Sequence, residues 1–414
     1  MQAYMLFLSA FGFIPVKALD KCQSQKFSDF ARALGPVLSP GASINFPGTD
    51  EFANATTRFS AYGAPDFAVT VDVATEGDVD NVLPVSASAH PLLGPGLGGG
   101  HGWNQGRYGL GLDQIVEANL VLGDGSRIVV SEDSHADLFW GLRGAGHNFG
   151  IYTFTQDKLE ALFGLLDSFV ADGAQPVELR HWVTFMRVPE IDPIHAVLAT
   201  WIVYEGTPER ASPYTSKMEA LGPATTTFNT TAYPGIVVLM GMDRGAVSCL
   251  ENGDHVLRFP IDVRGYNLTA HRAAYTIFDE VSGAYPALSG ATMLNEGYSV
   301  RAVQAVPADN TAYPDRFNNL LLSASFRVKP NAAAEDATGG MDMDQIAIEA
   351  GLKIRRTLFE GGGSPDLYTY VNYGLGLETL ENYYGYEDWR LARLRELKAK
   401  YDPDRKFSFY APIE

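Results

Sequence analysis

A dense run of glycine lies near the first quarter of the chain, in the stretch 92–114, which reads LLGPGLGGGHGWNQGRYGLGLDQ. Nine of these 23 residues are glycine. Glycine inside a helix or strand costs roughly 0.5–1 kcal/mol relative to alanine, so this density indicates a specific need for bare backbone. Backbone amides without neighbouring side chains can hydrogen-bond the ring carbonyls, ring nitrogens or phosphate oxygens of a flat polar ligand.

Three simpler interpretations of the run compete with this one. Residues 94–99 satisfy the pattern G-x-G-x-x-G, but in a dinucleotide-binding fold that motif follows a strand and opens a helix. Here Gly102, Gly106 and Gly109 would break such a helix. A P-loop needs a Gly-Lys-Ser/Thr ending, which the run lacks. A glycine-rich surface loop conflicts with the interleaved residues that favour burial: Leu97, Trp103, Tyr108, Leu110 and Leu112.

A second glycine cluster, DLFWGLRGAGHNFGI, follows at residues 137–151. Two glycine-rich bends bordered by aromatic residues would place their amides against one flat, polar ligand. A flavin carries ring carbonyls, ring nitrogens and a pyrophosphate, and therefore matches both bends.

Together with the C-terminal sequences YTYVNYG and YYGYEDWRLARLRELKAKYDPDRKFSF, the two clusters resemble, in the same order, the berberine-bridge-enzyme-like FAD-linked oxidases, most closely the fungal members. The resemblance implies an α+β fold, with a two-part FAD-binding domain, an inserted α+β substrate domain and a C-terminus that returns to the FAD domain. It also implies oxidation of a small organic substrate, often in secondary metabolism. A hydride passes to FAD, a protein base takes a proton, and molecular oxygen is the expected acceptor.

The resemblance also assigns the site residues. Tyr370 and Tyr373 are the candidate bases, and the alternative is that they stack on the core or on the flavin. Because the pKa of tyrosine is near 10, a base role would require that pKa to be lowered. The residues expected to line the cofactor are Gly96, Gly98, Gly99, Gly100, Gly102, Tyr108, Gly144, Gly146, Asn148, Gly150 and Asn372. On this assignment Gly99→Val should reduce flavin occupancy, while Gly106→Ala should matter less.

The chain departs from the family at two points. The family's Arg-Gly-Gly-Gly-His segment, which cradles the pyrophosphate and tethers the flavin, is absent between residues 74 and 83. The cysteine used as a tether by some members is also missing from residues 86–90. His90 and His101 do not occupy the tethering position and are more simply packed or solvated. FAD is therefore expected to bind without a covalent link, and a non-catalytic or cofactor-impaired remnant of the fold remains the alternative function.

The elements around these motifs follow from hydrophobic periodicity. Strands are predicted at 67–73, 196–204, 237–240 and 320–328, with a β-hairpin over 116–130 and helices at 134–144, 157–170, 270–281, 345–358 and 387–400. The helix at 157–170 carries an apolar stripe. The predicted division is a signal peptide at 1–18, a shortened FAD-binding domain at 19–156, a substrate domain at 157–361 and a C-terminal segment at 362–414.

Composition limits the partners. The net charge of −18 and pI near 4.8 argue against binding nucleic acid or anionic membrane surfaces. The apolar leader at 3–16, followed by Ala18, predicts a cleaved signal, and the alternative is a buried N-terminal helix. The sequons at Asn54, Asn229 and Asn267 favour a glycosylated, secreted protein. Cys22 and Cys249 could form one disulfide. No motif has metal-ligand spacing, so no metal is predicted.

Overall fold

The computed structural model describes residues 4–8, 31–32, 34–57, 60–62, 67–82, 100–101, 105–110, 113, 117–121, 127–131, 151–228, 253–329, 342–406, 408 and 410–414. Several predictions fall outside the described residues. They concern the helix at 134–144, the strand at 237–240, both cysteines and His90. They also include the sequon at Asn229 and eight of the proposed cofactor residues: Gly96, Gly98, Gly99, Gly102, Gly144, Gly146, Asn148 and Gly150.

The strands of the described chain are β1 Tyr4–Leu8, β2 Ser43–Asn45, β3 Val69–Val73, β4 Glu117–Val121, β5 Arg127–Ser131, β6 Ile151–Phe154, β7 Leu179–Met186, β8 Val197–Tyr204, β9 Thr225–Thr227, β10 His255–Val263, β11 Thr292–Gly297 and β12 Leu320–Val328. The helices are α1 Asp50–Thr56, α2 Glu76–Val82, α3 Gln105–Tyr108, α4 Leu159–Val170, α5 Pro208–Ala220, α6 Leu268–Ala284, α7 Arg301–Ala305, α8 Met343–Gly362, α9 Leu380–Tyr384 and α10 Asp388–Tyr401.

An antiparallel seven-stranded sheet forms the centre of the molecule, in the order β10-β12-β11-β7-β8-β6-β9. One face carries the large hydrophobic core, to which α4, α6 and α8 contribute their apolar stripes. Successive side chains of a strand point to opposite faces, so the remaining residues of these strands form a second face. That face is aromatic and charged rather than uniformly apolar.

A row of five side chains crosses this second face in register. Asp262 of β10 pairs with Leu321 of β12, and Leu321 pairs with Glu296 of β11. Glu296 pairs with Trp182 of β7, which pairs with Trp201 of β8. Neighbouring strands lie about 4.8 Å apart, so the two carboxyl groups are separated by two strand spacings and the two indoles are adjacent.

The predicted elements of the central region that lie within the described residues are confirmed. The helix predicted at 157–170 comprises a short 3₁₀ turn and α4, and every residue of its predicted stripe is buried: Leu159, Leu162, Phe163, Leu166, Phe169 and Val170. The strand at 320–328 is observed with the predicted bounds. Strands β7, β10 and β11 and helix α5 were not predicted. The sheet also begins at Ile151 in β6, before the predicted domain boundary at 157.

The N-terminal region forms a three-stranded sheet in the order β1-β3-β2. Its central strand β3 confirms the strand predicted at 67–73, and β4 with β5 confirms the predicted hairpin. Strand β1, at Tyr4–Leu8, lies inside the predicted signal peptide and pairs antiparallel with β3. Cleavage after Ala18 would remove this edge strand.

Gly106 is closely packed within the protein. Gly106 lies in α3, packed against the segment that leads into α7, and a Cβ built on it would lie 2.8 Å from the Ser299 carbonyl oxygen and closer still to the Ser299 Cβ. The residue is buried, so a side chain has no free space there. This glycine permits close packing between elements rather than approach of a ligand.

The C-terminal helix α10 reaches the glycine-rich region through a loop. Arg390, which is fully buried, donates to the carbonyls of Ala308 at 2.9 Å and Thr311 at 3.2 Å. The same loop continues to Arg316, whose guanidinium makes a buried ion pair with Asp113 at 2.9 Å. The described part of the chain contains no helix long and apolar enough to span a bilayer.

Candidate active site

The tyrosine motif lies on a tight turn beside the second face of the sheet. Tyr370 is extended, and residues 371–373 form one 3₁₀ turn in which the Tyr373 amide donates to the Tyr370 carbonyl at 2.9 Å. The Tyr410 hydroxyl donates to the carbonyls of Val371 and Gly374, the latter at 2.7 Å. The turn is therefore held at both ends.

Glu296 is the centre of a hydrogen-bonded group of aromatic residues. Its Oε1 accepts from the Tyr373 hydroxyl at 3.0 Å, and its Oε2 accepts from the Tyr298 hydroxyl at 2.5 Å. Trp182 Nε1 in turn donates to the Tyr298 oxygen at 2.9 Å. The Arg258 guanidinium lies 4.4 Å from the centroid of the Tyr373 ring. A buried carboxylate with two phenol donors can take a proton directly along a formed hydrogen bond.

Burial determines the protonation of this group. Desolvation raises the pKa of Glu296 to about 6, although the hydrogen bonds from Tyr298 and Tyr373 and the charge of Arg258 favour its ionised form. Burial also raises the pKa of Tyr373 well above its usual value, and the adjacent Glu296 raises it further. A base role for a tyrosine alone would require a lowered pKa, whereas the pKa of Tyr373 is raised and the group that ionises near neutral pH is the Glu296 carboxyl.

Tyr370 joins the first glycine run to the C-terminal motif. Its hydroxyl oxygen accepts from the Gly100 amide at 3.2 Å and from Asn372 Nδ2 at 2.6 Å. Burial raises the pKa of Tyr370 and outweighs these donors. Gly100 has φ of +72°, a left-handed conformation that favours glycine. Two sets of residues that the resemblance assigns to one cofactor are thus in direct contact.

His101 is packed and hydrogen-bonded on both sides. Its Nδ1 lies 3.0 Å from Gln105 Oε1, its Nε2 meets the Tyr313 hydroxyl, and its ring lies edge-on to Tyr370 with centroids 4.7 Å apart. Burial lowers its pKa to about 4. Both ring nitrogens have protein partners, which agrees with a packing role.

A pair of carboxyl groups lies at the end of the row. Asp262 and Asp315 are both buried and hydrogen-bonded to each other. Asp315 also accepts from the Asn318 amide at 3.0 Å and the Asn318 side chain at 2.9 Å. Burial raises the pKa of both carboxyls, most strongly that of Asp262, which lacks such donors. The pair therefore keeps a proton on Asp262 and leaves Glu296 as the titrating acid of the row.

Of the described residues assigned to the cofactor, those at the junction of the glycine run and the tyrosine turn agree with a flavin site, and Tyr108 does not. Gly100, Tyr370 and Asn372 lie together with bare backbone at the junction, as a flat cofactor requires. Tyr108, also assigned to the cofactor, is 58% exposed at the end of α3, contrary to the burial expected for it. Among the described residues there is no cluster of three or more His, Cys, Asp or Glu side chains suited to a metal ion.

Sequence comparison shows the family. The family described as "Berberine and berberine like" matches residues 369–414, the segment that carries the tyrosine turn and α10. The FAD-linked oxidoreductase anuG of Penicillium roqueforti is 32% identical over 93% of this chain and 92% of its own length. The chain therefore belongs to the berberine-bridge-enzyme-like FAD-linked oxidoreductases. That alignment spans 477 residues, more than the 414 of the chain, so segments of the relative have no counterpart here.

Solved structures show the same fold at low identity. BBE-like 1 of Physcomitrella patens matches with a TM-score of 0.68 and 17% identity, over 93% of this chain and 99% of its own. Glucooligosaccharide oxidase from Acremonium strictum, which carries a 6-S-cysteinyl, 8α-N1-histidyl FAD, matches with a TM-score of 0.60 and 20% identity, over 91% of this chain and 79% of its own. The α+β FAD-binding fold expected from the sequence is confirmed.

Glu296 was not predicted from the sequence. It follows Met293, Leu294 and Asn295 in a short strand that carried no strand prediction. An acidic residue in a run otherwise suited to burial is a signal for a functional carboxylate, since unpaired acids are rarely buried.

Proposed function

We propose that this FAD-linked oxidoreductase oxidises a small organic substrate, and that Tyr373 and Glu296 together accept the proton the substrate loses. The observation that carries the proposal is the hydrogen bond of 3.0 Å from the Tyr373 hydroxyl to the buried Glu296 carboxylate. When bound, FAD supplies the two-electron acceptor that takes the hydride, and molecular oxygen is the expected final acceptor.

The proton moves in two linked steps. The Tyr373 oxygen takes the proton of a substrate O–H or N–H while its own proton passes to Glu296 Oε1. Tyr373 remains neutral throughout, consistent with its raised pKa, and the negative charge on Glu296 is lost as the substrate is oxidised. Tyr298 holds the second carboxylate oxygen, which fixes the orientation of Oε1 towards Tyr373. Gly100, Tyr370 and Asn372 would hold the cofactor at the junction described above.

Substitution of the acceptor tests this mechanism. Glu296→Gln keeps the shape and a carbonyl acceptor for Tyr373 but cannot take a proton, so kcat should fall by roughly 10²–10⁴-fold while flavin content stays unchanged. Tyr373→Phe should produce a similar loss. Glu280, an exposed glutamate on α6, provides the matched control, and Glu280→Gln should leave kcat near that of the wild type. Wild-type turnover by Glu296→Gln would contradict the proposal.

We further propose that FAD binds without a covalent link, since the tethering segment is missing from the sequence and both nitrogens of His101 have protein partners. After acid precipitation of the purified protein, the yellow colour should remain in the supernatant. Flavin retained on the polypeptide would overturn this. The alternative function is a cofactor-impaired remnant of the fold, which is favoured because segments of the Penicillium roqueforti relative have no counterpart here. This alternative would be supported if the purified protein showed no flavin absorbance and could not be reconstituted with FAD.

A further inference from the structure

A cavity of about 620 Å³ opens next to the tyrosine turn. Its walls include Gly374 and Leu375, which directly follow Tyr373, and the side chains of Tyr62, Tyr383 and Tyr410. Val256 also lines it. This residue lies two positions from Arg258 on β10, so the two side chains share the second face of the sheet. The cavity therefore adjoins the tyrosine turn on the side of Gly374 and Leu375.

The hydroxyl groups in the cavity wall are already engaged within the protein. Ser60 Oγ accepts from the Val256 amide at 2.9 Å, and the Tyr383 hydroxyl donates to Glu378 Oε2 at 2.6 Å. The Tyr410 hydroxyl donates to the Gly374 carbonyl at 2.7 Å. Thr379 Oγ1 accepts from the Asn382 amide at 3.3 Å as a helix cap.

Of the two acids in the wall, Glu414 is exposed, whereas Glu378 is neutralised within the protein. Glu378 Oε2 also accepts from the amides of Leu375 and Gly376, and Glu378 Oε1 pairs with Arg355 at 2.5 Å. Its side chain is fully buried. The lining thus presents aromatic rings and aliphatic carbon, while most of its polar side chains are directed towards partners of their own.

From this lining we propose that the cavity binds the ring system of the substrate, and that this ring system is planar and largely apolar, aromatic or conjugated, rather than a sugar. A polyol would bury several hydroxyls without partners, which is unfavourable, whereas a flat ring can stack on the tyrosines. The volume lies in the range of small-molecule sites. This inference rests on the proposed function, because it places the ring next to the turn that carries Tyr373.

Binding of two probes to the purified holoenzyme tests the substrate class. 2-Naphthalenemethanol represents a planar alcohol and maltotriose a sugar, each titrated by calorimetry. The planar alcohol should bind, and Leu380→Trp, which fills the cavity, should weaken its binding at least tenfold. Leu375→Trp provides a second filled cavity should the first variant fold poorly. Ala220→Trp, an exposed position on α5, should bind like the wild type.

The outcomes separate this inference from the proposed function. Three results overturn the proposed ring site: no binding of 2-naphthalenemethanol to the wild type, unchanged binding in both filled variants, or maltotriose binding that both variants abolish. Oxidation that survives in Glu296→Gln overturns the proton acceptor and leaves the ring site intact. If Glu296→Gln abolishes oxidation but neither Leu380→Trp nor Leu375→Trp weakens binding of the probe, the ring site alone is overturned.

Discussion

Glu296 carries the pH dependence at the scale of single residues. Its carboxyl must be ionised to receive a proton, and burial raises its pKa to about 6. A group with a raised pKa stays protonated over a wider acidic range, so the reaction should weaken as the pH falls through about 6. The other acids that face the row, Asp262 and Asp315, retain a shared proton and do not replace it.

We therefore predict an acidic limb near pH 6 in the profile of kcat/KM, measured by oxygen consumption from about pH 5 to about pH 8. In Tyr298→Phe the limb should move to higher pH, because the lost hydrogen bond favoured the ionised carboxylate. A limb that stays in place in Tyr298→Phe would assign the titration to a different group.

At the scale of elements, the close packing of α3 against the segment before α7 makes a clear prediction. Gly106→Ala should lower the free energy of unfolding by about 1–3 kcal/mol, because the added methyl group overlaps the backbone and side chain of Ser299. Denaturant unfolding measures this loss. Gly164→Ala in α4 is the matched control, since the nearest atom to its added methyl would be 3.9 Å away, and it should not destabilise the protein. Equal stability of the two variants would show that α3 can move away without cost.

The sequence predicted the amphipathic elements well and the site only in part. Helix α4 and strand β12 were found because their apolar residues repeat with a clear period. Strands β7 and β10 were missed because polar residues such as Arg180, His181 and Asp262 are buried within them and interrupt the alternation. Tyr370, Asn372 and Tyr373 were found through the family resemblance.

The partner of Tyr373 could not be found by the same route. Glu296 lies on a separate strand, and its contact with Tyr373 depends on the pairing of β11 with β7 and β12. Such long-range register is not encoded in any local pattern. The close packing of Gly106 was missed for a related reason, since only the folded structure reveals Ser299 as the neighbour that excludes a side chain.

At the scale of the whole molecule, buried histidines should make the fold sensitive to acid. Burial lowers the pKa of His271 to about 4, and its ring packs among Phe163 and Tyr266. Between that value and the unfolded pKa near 6.5, the unfolded chain binds the proton and the folded chain does not. The stabilisation is complete above about pH 6.5 and is lost as the pH falls.

His271→Phe should remove part of this sensitivity. Between about pH 7.5 and about pH 5 the wild type should lose about 2 kcal/mol more of its unfolding free energy than the variant, measured by urea denaturation. Glu296 titrates in the opposite direction in both proteins and cancels in the comparison. An identical loss in both proteins would contradict the assignment to His271.

Export of the protein is also a proposal at this scale. Asn54 and Asn267 are exposed, and the Asn267 side chain caps α6 through its oxygen, which leaves its nitrogen for a sugar. The mature protein should begin at Leu19 and carry sugar at these sites, as determined by mass spectrometry. An intact β1 with unmodified asparagines would overturn the proposal.

The hydrogen bond between the Gly100 amide and Tyr370 joins residues 270 positions apart. A ribosome must therefore have released nearly the whole chain before this contact can form. The central sheet and its helices are complete at residue 362, so they can fold while the tyrosine motif is still being synthesised. A chain that terminates before residue 370 would contain the whole central sheet but neither Tyr370 nor Tyr373.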